Sequence, residues 1–118
     1  MSKRIADRIY DNPQFTVGVV LEPEYMGKTG YDFIYQYQLA DSIYTERNFK
    51  MDITTVCGPM IMRYASETVG DTFLVVVEKG KPGNSSMMLI DKQYELLGVE
   101  PLPASKHWVR TLSKCEKW

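Results

Sequence analysis

The sequence predicts an α+β domain: a small, mostly antiparallel sheet of four to six strands with short N-terminal and C-terminal helices. The length of 118 residues is enough for a single domain, spanning 1–118, that buries a core of its own. Several segments alternate apolar and polar side chains with a period of two, as half-buried strands do. The long helices that cross between parallel strands are missing from the pattern, so the strands are expected to pair antiparallel.

The first two elements are predicted to be a helix and a strand. Residues 2–10 favour a short helix, because Ser2 can cap it and Ile5 and Ile9 share one face. The alternation that follows predicts a strand over 15–22, with four apolar side chains on one face: Phe15, Val17, Val19 and Leu21. A turn or loop is expected over 24–30.

The segment 31–48 fits two structures. A strand would place one set of side chains on a single face: Tyr31, Phe33, Tyr35, Tyr37 and Leu39. A helix would instead carry an apolar stripe: Phe33, Tyr37, Ala40 and Tyr44. The aromatic and β-branched residues favour a strand up to about Leu39, followed by a short helical turn over 41–46. Further alternation predicts another strand over 49–57, and residues 60–64 could form one more.

A hairpin and two helices are predicted in the C-terminal half. Residues 72–78 are apolar on both faces, which suits a central strand, and 87–90 form its partner across a loop over 79–86. Asp91 can cap a helix that runs to Leu97, with Gly98 as the left-handed residue that ends it. Ser105 can cap a last helix, with a strand over 107–111 as the alternative.

The charge is unevenly distributed although the net charge is only −1. Residues 1–10 carry three basic side chains and one acidic one, and residues 106–118 carry four basic and one acidic. The rest of the chain is acidic overall. Two basic ends lying side by side would attract phosphate groups or an acidic partner, whereas the alternative is that they are simply solvated.

Residues that carry catalytic or metal chemistry are few. Cys57 and Cys115 are the only cysteines and His107 is the only histidine, so no spaced metal-ligand motif exists and neither a metal nor a cofactor is predicted. Two cysteines so far apart do not form a disulfide framework, and the sequence shows no signal-peptide core and no membrane span. A cytoplasmic location is therefore expected.

Tyrosines and a basic loop supply the candidate ligand-binding residues. The tyrosines are Tyr31, Tyr35, Tyr37 and Tyr44, whose rings could line a pocket or an interface, or fill the core. In the predicted 79–86 loop, glycines permit positive φ, so that backbone N–H groups could converge on an anion. The side chains assigned to that anion are Lys79, Lys81, Asn84 and Ser85, with Arg110 from the C-terminal segment. A plain hairpin connection is the alternative for this loop.

These features predict a noncatalytic binding protein of an accessory, regulatory or inhibitory kind. It would engage a phosphorylated small molecule such as a nucleotide, or an acidic protein partner, through a tyrosine-lined pocket or interface. A homo-oligomer without membrane contact is expected. Two alternatives stay open: a nucleic-acid-binding regulator that uses the basic ends, and a small enzyme that uses carboxylates with His107 or Lys81.

Overall fold

Three stretches of the chain, residues 9–25, 31–47 and 66–113, are described by the computed structural model. They form five strands: β1 (Pro13–Tyr25), β2 (Tyr31–Leu39), β3 (Ser42–Arg47), β4 (Thr72–Glu78) and β5 (Lys81–Met87). Two helices follow, α1 (Asp91–Leu97) and α2 (Lys106–Ser113), and short 3-10 turns lie at Ser66–Thr68 and Pro103–Ser105. The strands predicted over 49–57 and 60–64 lie outside the described residues.

The five strands form one antiparallel sheet in the order β3-β2-β1-β4-β5. Strand β1 is shared between the two halves of this sheet. Its residues 13–19 pair with β4 and its residues 18–25 pair with β2, so the two ladders overlap at Gly18 and Val19. This offset curls the sheet, so that the two outer strands β3 and β5 approach each other. The hydrogen bond from the Tyr37 hydroxyl to the Pro82 carbonyl on β5 shows how far the sheet has closed. The described sheet is therefore barrel-like.

The hairpin of β2 and β3 confirms one prediction and corrects another. Residues 31–39 form a strand, as the aromatic alternation favoured over a helix. The helical turn predicted over 41–46 is wrong, since Ser42–Arg47 is strand β3. Leu39 pairs with Ser42 across a two-residue turn in which Ala40 has a φ of 54°, the positive value that tight hairpins require. The β-branched and aromatic residues that follow suit a strand.

The hairpin of β4 and β5 is tighter than predicted. Residues 72–78 form a strand as expected, but the loop predicted over 79–86 is wrong, because Lys81–Met87 is strand β5. The connection is only Lys79 and Gly80, with Gly80 at a φ of 88°. Of the strand predicted over 87–90, only the first residue belongs to β5. Strand β5 contains polar residues with a low strand propensity, and its pairing with Val75–Val77 on β4 stabilises them as a strand.

The helix predictions are partly confirmed. Residues 9–11 are helical, while residues 2–8 lie outside the described part of the chain. Helix α1 runs to Leu97 and ends at Gly98, whose φ is 66°, as predicted, but Asp91 is its first residue and Ile90 is its N-cap. Its start is stabilised by Gln93 rather than Asp91: the Gln93 Oε1 atom accepts hydrogen bonds from the backbone N–H groups of Leu89 (2.7 Å) and Ile90 (3.1 Å). Helix α2 follows Ser105, so the alternative of a strand there is wrong.

The core lies on the concave inner face of the sheet and continues under the helices. The buried inner-face side chains are Val20, Phe33, Tyr35, Tyr37, Phe73, Val75, Val77 and Met87. The opposite face of β4 and β5 is buried as well, at Val76 and its partner Ser86. Helical residues Ile9, Tyr94 and Val109 belong to the same cluster. None of the described helices is long or apolar enough to cross a membrane.

Candidate functional site

The predicted tyrosines form a stack that leads from the core to the gap between β3 and β5. The ring centroids of Tyr35 and Tyr37 are 5.9 Å apart, and those of Tyr37 and Tyr44 are 5.3 Å apart. Tyr35 and Tyr37 are buried on the inner face, and Tyr44 is half-buried. The backbone of Tyr31 belongs to β2, but its side chain lies outside the described part of the structure. The core interpretation of the aromatic face therefore holds for Tyr35 and Tyr37.

The hydroxyls of the two buried tyrosines bond to strand β5. The Tyr35 hydroxyl and the Ser85 Oγ atom are 2.7 Å apart in a buried hydrogen bond, and the Tyr37 hydroxyl donates to the Pro82 carbonyl. Gly83 lies next to them on β5, where a Cβ atom would be 3.8 Å from the Glu46 carboxylate on β3. We call this meeting of the outer strands the seam, and its side chains close the barrel.

Burial also favours the neutral form of Tyr37 at the seam. It raises the pKa of Tyr37 above its ordinary value, and the negative charges of Glu46 and of ionised Tyr44 act in the same direction. The hydroxyl of Ser85 acts against this but is the weaker influence than burial. Tyr37 is therefore a neutral phenol near neutral pH, suited to donating a hydrogen bond rather than to acid–base chemistry.

The basic residues of the predicted anion loop lie at the tip of the β4–β5 hairpin. Lys79 and Lys81 are exposed, and the Asn84 amide donates to the Glu78 carboxylate at 3.1 Å. Because 81–87 is a strand, its backbone N–H groups do not converge as an anion-binding loop would require. Arg110 is exposed on α2 and shares no described hydrogen bond or ion pair with the hairpin or the tyrosines. The structure thus brings Ser85 to the tyrosines, places Lys79, Lys81 and Asn84 elsewhere on the same hairpin, and leaves Arg110 apart on α2.

A surface that the sequence analysis did not select stands out on the convex side of the sheet. We call it the outer face; it comprises Phe15, Val17, Val19 and Leu21 on β1 and Ile43 on β3. Val17 is 47% exposed and Ile43 is 65% exposed, although β1 is the central strand of the sheet. Large apolar side chains in the middle of a sheet are ordinarily covered, so this exposure makes the outer face a candidate site.

The neighbours of the outer face are uncharged except Glu22, which follows Leu21 on β1 and lies opposite Ile34. Pleat alternation and strand register place polar amides, hydroxyls and one leucine beside it: Gln36, Gln38, Thr45, Thr72 and Leu74. A shallow, open depression of about 220 Å³ lies among them, between Val17, Gln38 and Ile43. Protein interfaces are depleted of charge at their centre and ringed by polar groups, which is the arrangement found here.

One signal in the sequence could have located the outer face. The alternation of β1 identified the apolar side chains correctly, but the structure turns Gly18 and Val20 inward and the larger residues outward. A Cβ atom on Gly18 would lie 2.5 Å from a methyl group of Val75, so only glycine fits on the inner side. A glycine opposite a full apolar face is the sign that side chains from neighbouring strands, here Val75 and Tyr35, fill the core there.

Metal ligands and His107 are the remaining candidates for chemistry among the described residues. No three His, Cys, Asp or Glu side chains among them are grouped to hold a metal ion. His107 is exposed and stacks against Trp108 at 4.9 Å, and the Trp108 indole N–H donates to the Asp71 carboxylate. Comparison with protein-family models, with curated proteins and with solved structures finds no match to this chain. A function for this chain is therefore inferred from its surfaces.

Proposed function

We propose that this chain is a noncatalytic binding protein that recognises another protein surface through the outer face. The exposure of Phe15, Val17, Leu21 and Ile43 carries the proposal. Burying such side chains contributes about 25 cal/mol for each Å² of apolar area that leaves water. A preformed, uncharged sheet face can supply that burial without any change in its own fold.

A protein partner fits this geometry better than a phosphorylated small molecule. A small ligand needs a concave site that encloses most of its surface. The buried hydroxyls of Tyr35 and Tyr37 already have partners on β5, and the depression on the outer face is shallow and apolar. The exposed charges of Lys79 and Lys81 remain available for an acidic group at the edge of a partner. A cytoplasmic location belongs to the same proposal.

The nucleic-acid alternative finds less support. Five-stranded barrels of the OB type bind oligonucleotides on the face of their second and third strands, where aromatic rings stack on bases and basic groups follow the backbone. In this chain Phe33, Tyr35 and Tyr37 of β2 point inward. The outward side of β2 and β3 presents Gln36, Gln38 and Thr45. Arg47 is paired with Glu24. Base stacking has no described platform there.

Site-specific photo-cross-linking tests the proposal. A photoreactive amino acid at Val17, in the intact chain inside cells, is expected to form covalent adducts with protein when the cells are irradiated. The same amino acid at Leu96 on α1, which is 64% exposed, is the control because that position is at least as accessible. If Val17 gives no protein adducts, or no more than Leu96 gives, the outer face is not a binding surface.

A further inference from the structure

We infer that the partner on the outer face is a second copy of this chain, so that two sheets pack face to face in a symmetric homodimer. The inference rests on the proposed function, because it names the occupant of the same surface. Most soluble oligomers are two-fold dimers in which one surface meets its own copy. Such a surface must be complementary to itself in charge and in hydrogen bonding.

The outer face meets the charge requirement. Near a two-fold axis each side chain faces its own copy, so a charged group there would meet a like charge. The side chains of the outer face and their neighbours across the strands carry no charge from Phe15 to Leu21. The nearest described ion pair, Arg47 with Glu24, is internally neutral. Glu22, opposite Ile34 on the same side of the sheet, is the first charged side chain after Leu21 and lies at the end of the face. Apposing the central part of the face in two copies therefore costs no like-charge repulsion.

Hydrogen bonding across this face is also compatible with a second copy. A primary amide both donates and accepts, so it can pair with an identical amide. Gln36 and Gln38 lie beside Val19 and Ile43 in the strand register. Their amides can bond to each other across a two-fold axis while the apolar side chains interdigitate, at the spacing of about 10 Å that stacked sheets adopt.

Contact through the face is favoured over pairing of strand edges. The outer strands β3 and β5 face each other at the seam, where the Pro82 carbonyl accepts a hydrogen bond from the Tyr37 hydroxyl. Pro82 itself has no N–H to offer to another strand. Edges protected in this way are poor sites for adding a strand from a second molecule, which leaves the face of the sheet for contact between copies.

The size of the face predicts a weak dimer. The stretch from Phe15 to Leu21 is roughly 20 Å long at about 3.3 Å per residue, and four strands about 4.8 Å apart make the face roughly 15 Å wide. Its flat area of roughly 300 Å² is below the surface of about 800 Å² that each partner buries in an interface of standard size. Association is therefore expected in the micromolar to millimolar range of protein concentration.

Sedimentation equilibrium of the full chain over that range is the test, with Ile43→Lys as the variant and Leu96→Lys as its matched control. The two positions are 65% and 64% exposed, so each variant adds one charge at an equally accessible apolar site. We expect the unmodified chain to dimerise and Ile43→Lys to weaken dimerisation by about tenfold or more, while Leu96→Lys changes it by less than about twofold. Circular dichroism spectra that match that of the unmodified chain establish that both variants are folded.

Two results would overturn the inference. One is a monomer throughout the concentration range, and the other is a dimer that both variants weaken equally. The cross-links from Val17 separate this failure from failure of the proposed function. Adducts with other proteins, in a chain that stays monomeric, refute the homodimer and leave the binding face in place. The absence of any protein adduct, both in cells and in the purified chain irradiated at the concentrations used for sedimentation, refutes both.

Discussion

Gly18 sits at the point where β1 passes from pairing with β4 to pairing with β2, and the approach of the strands there depends on its missing side chain. A Cβ atom at this position would lie 2.5 Å from the Val75 Cγ2 atom and 3.3 Å from the Gln36 carbonyl oxygen. Neither neighbour can move easily, because Val75 is buried in the core and the carbonyl is part of β2. The glycine is therefore required by packing, not by its backbone conformation.

At this residue scale, Gly18→Ala is expected to destabilise the protein by about 1–3 kcal/mol, the usual cost of overpacking a core. Urea denaturation of the unmodified chain and the variant measures the difference in the free energy of unfolding. Val75→Ala is the control, since it removes the methyl group that the new Cβ would meet. We expect the double variant to be more stable than the sum of the single changes predicts; strict additivity would show that the two side chains do not collide.

The closure of the barrel belongs to the scale of elements, because β3 and β5 are not joined by a strand ladder. Hydroxyls from β2 bond to β5 in its place: Tyr35 with Ser85, and Tyr37 with Pro82. The bond between Tyr35 and Ser85 is buried and the bond between Tyr37 and Pro82 is partly buried. A buried polar group that loses its partner costs more free energy than a formed hydrogen bond contributes. These two tyrosines therefore hold β5 against the hairpin of β2 and β3.

A double-mutant cycle at Tyr35 and Ser85 tests this role. Tyr35→Phe removes one partner of a buried hydrogen bond and is expected to cost about 1–2 kcal/mol of unfolding free energy. Adding Ser85→Ala removes the orphaned partner as well, so the double variant is expected to lose less than the two single changes together. Faster amide exchange in β5 should accompany Tyr35→Phe. Equal exchange rates, or additive losses, would contradict a role in closing the seam.

The elements also show where sequence reasoning succeeds. Periodicity located β1, β2 and β4, because each strand has side chains that a core must sort by face. It missed β3 and β5, in which short or polar residues such as Thr45 and Asn84 are held by pairing with neighbours that lie elsewhere in the sequence. The tyrosines that share one face of β2 were predictable from the sequence. Whether that face points into the core was not, because alternation with a period of two does not say which side of the strand is buried. The outer face was hidden for the same reason.

At the scale of the whole molecule, three phenols join the sheet to its surroundings. The Tyr94 hydroxyl on α1 donates to the Met88 carbonyl at 2.8 Å, and the Tyr10 hydroxyl accepts from the Gln93 amide at 3.3 Å. Tyr37 closes the seam. Burial is the main influence that raises the pKa of each of these phenols above its ordinary value. The folded state therefore keeps them neutral to a higher pH than the unfolded chain does.

This difference predicts a loss of stability at alkaline pH. Below about pH 10 the phenols are protonated in both states, so the folded protein has its full stability with respect to these groups. Above that pH the unfolded chain releases the protons first, and the free energy of unfolding falls until the folded-state pKa values are reached. Urea denaturation at increasing pH, followed with the absorbance of tyrosinate, is expected to show ionisation and unfolding together. Tyr94→Phe should start from lower stability near neutral pH, because the bond to the Met88 carbonyl is lost, and should then decline less steeply. An equal slope in both proteins would show that Tyr94 does not contribute to the alkaline transition.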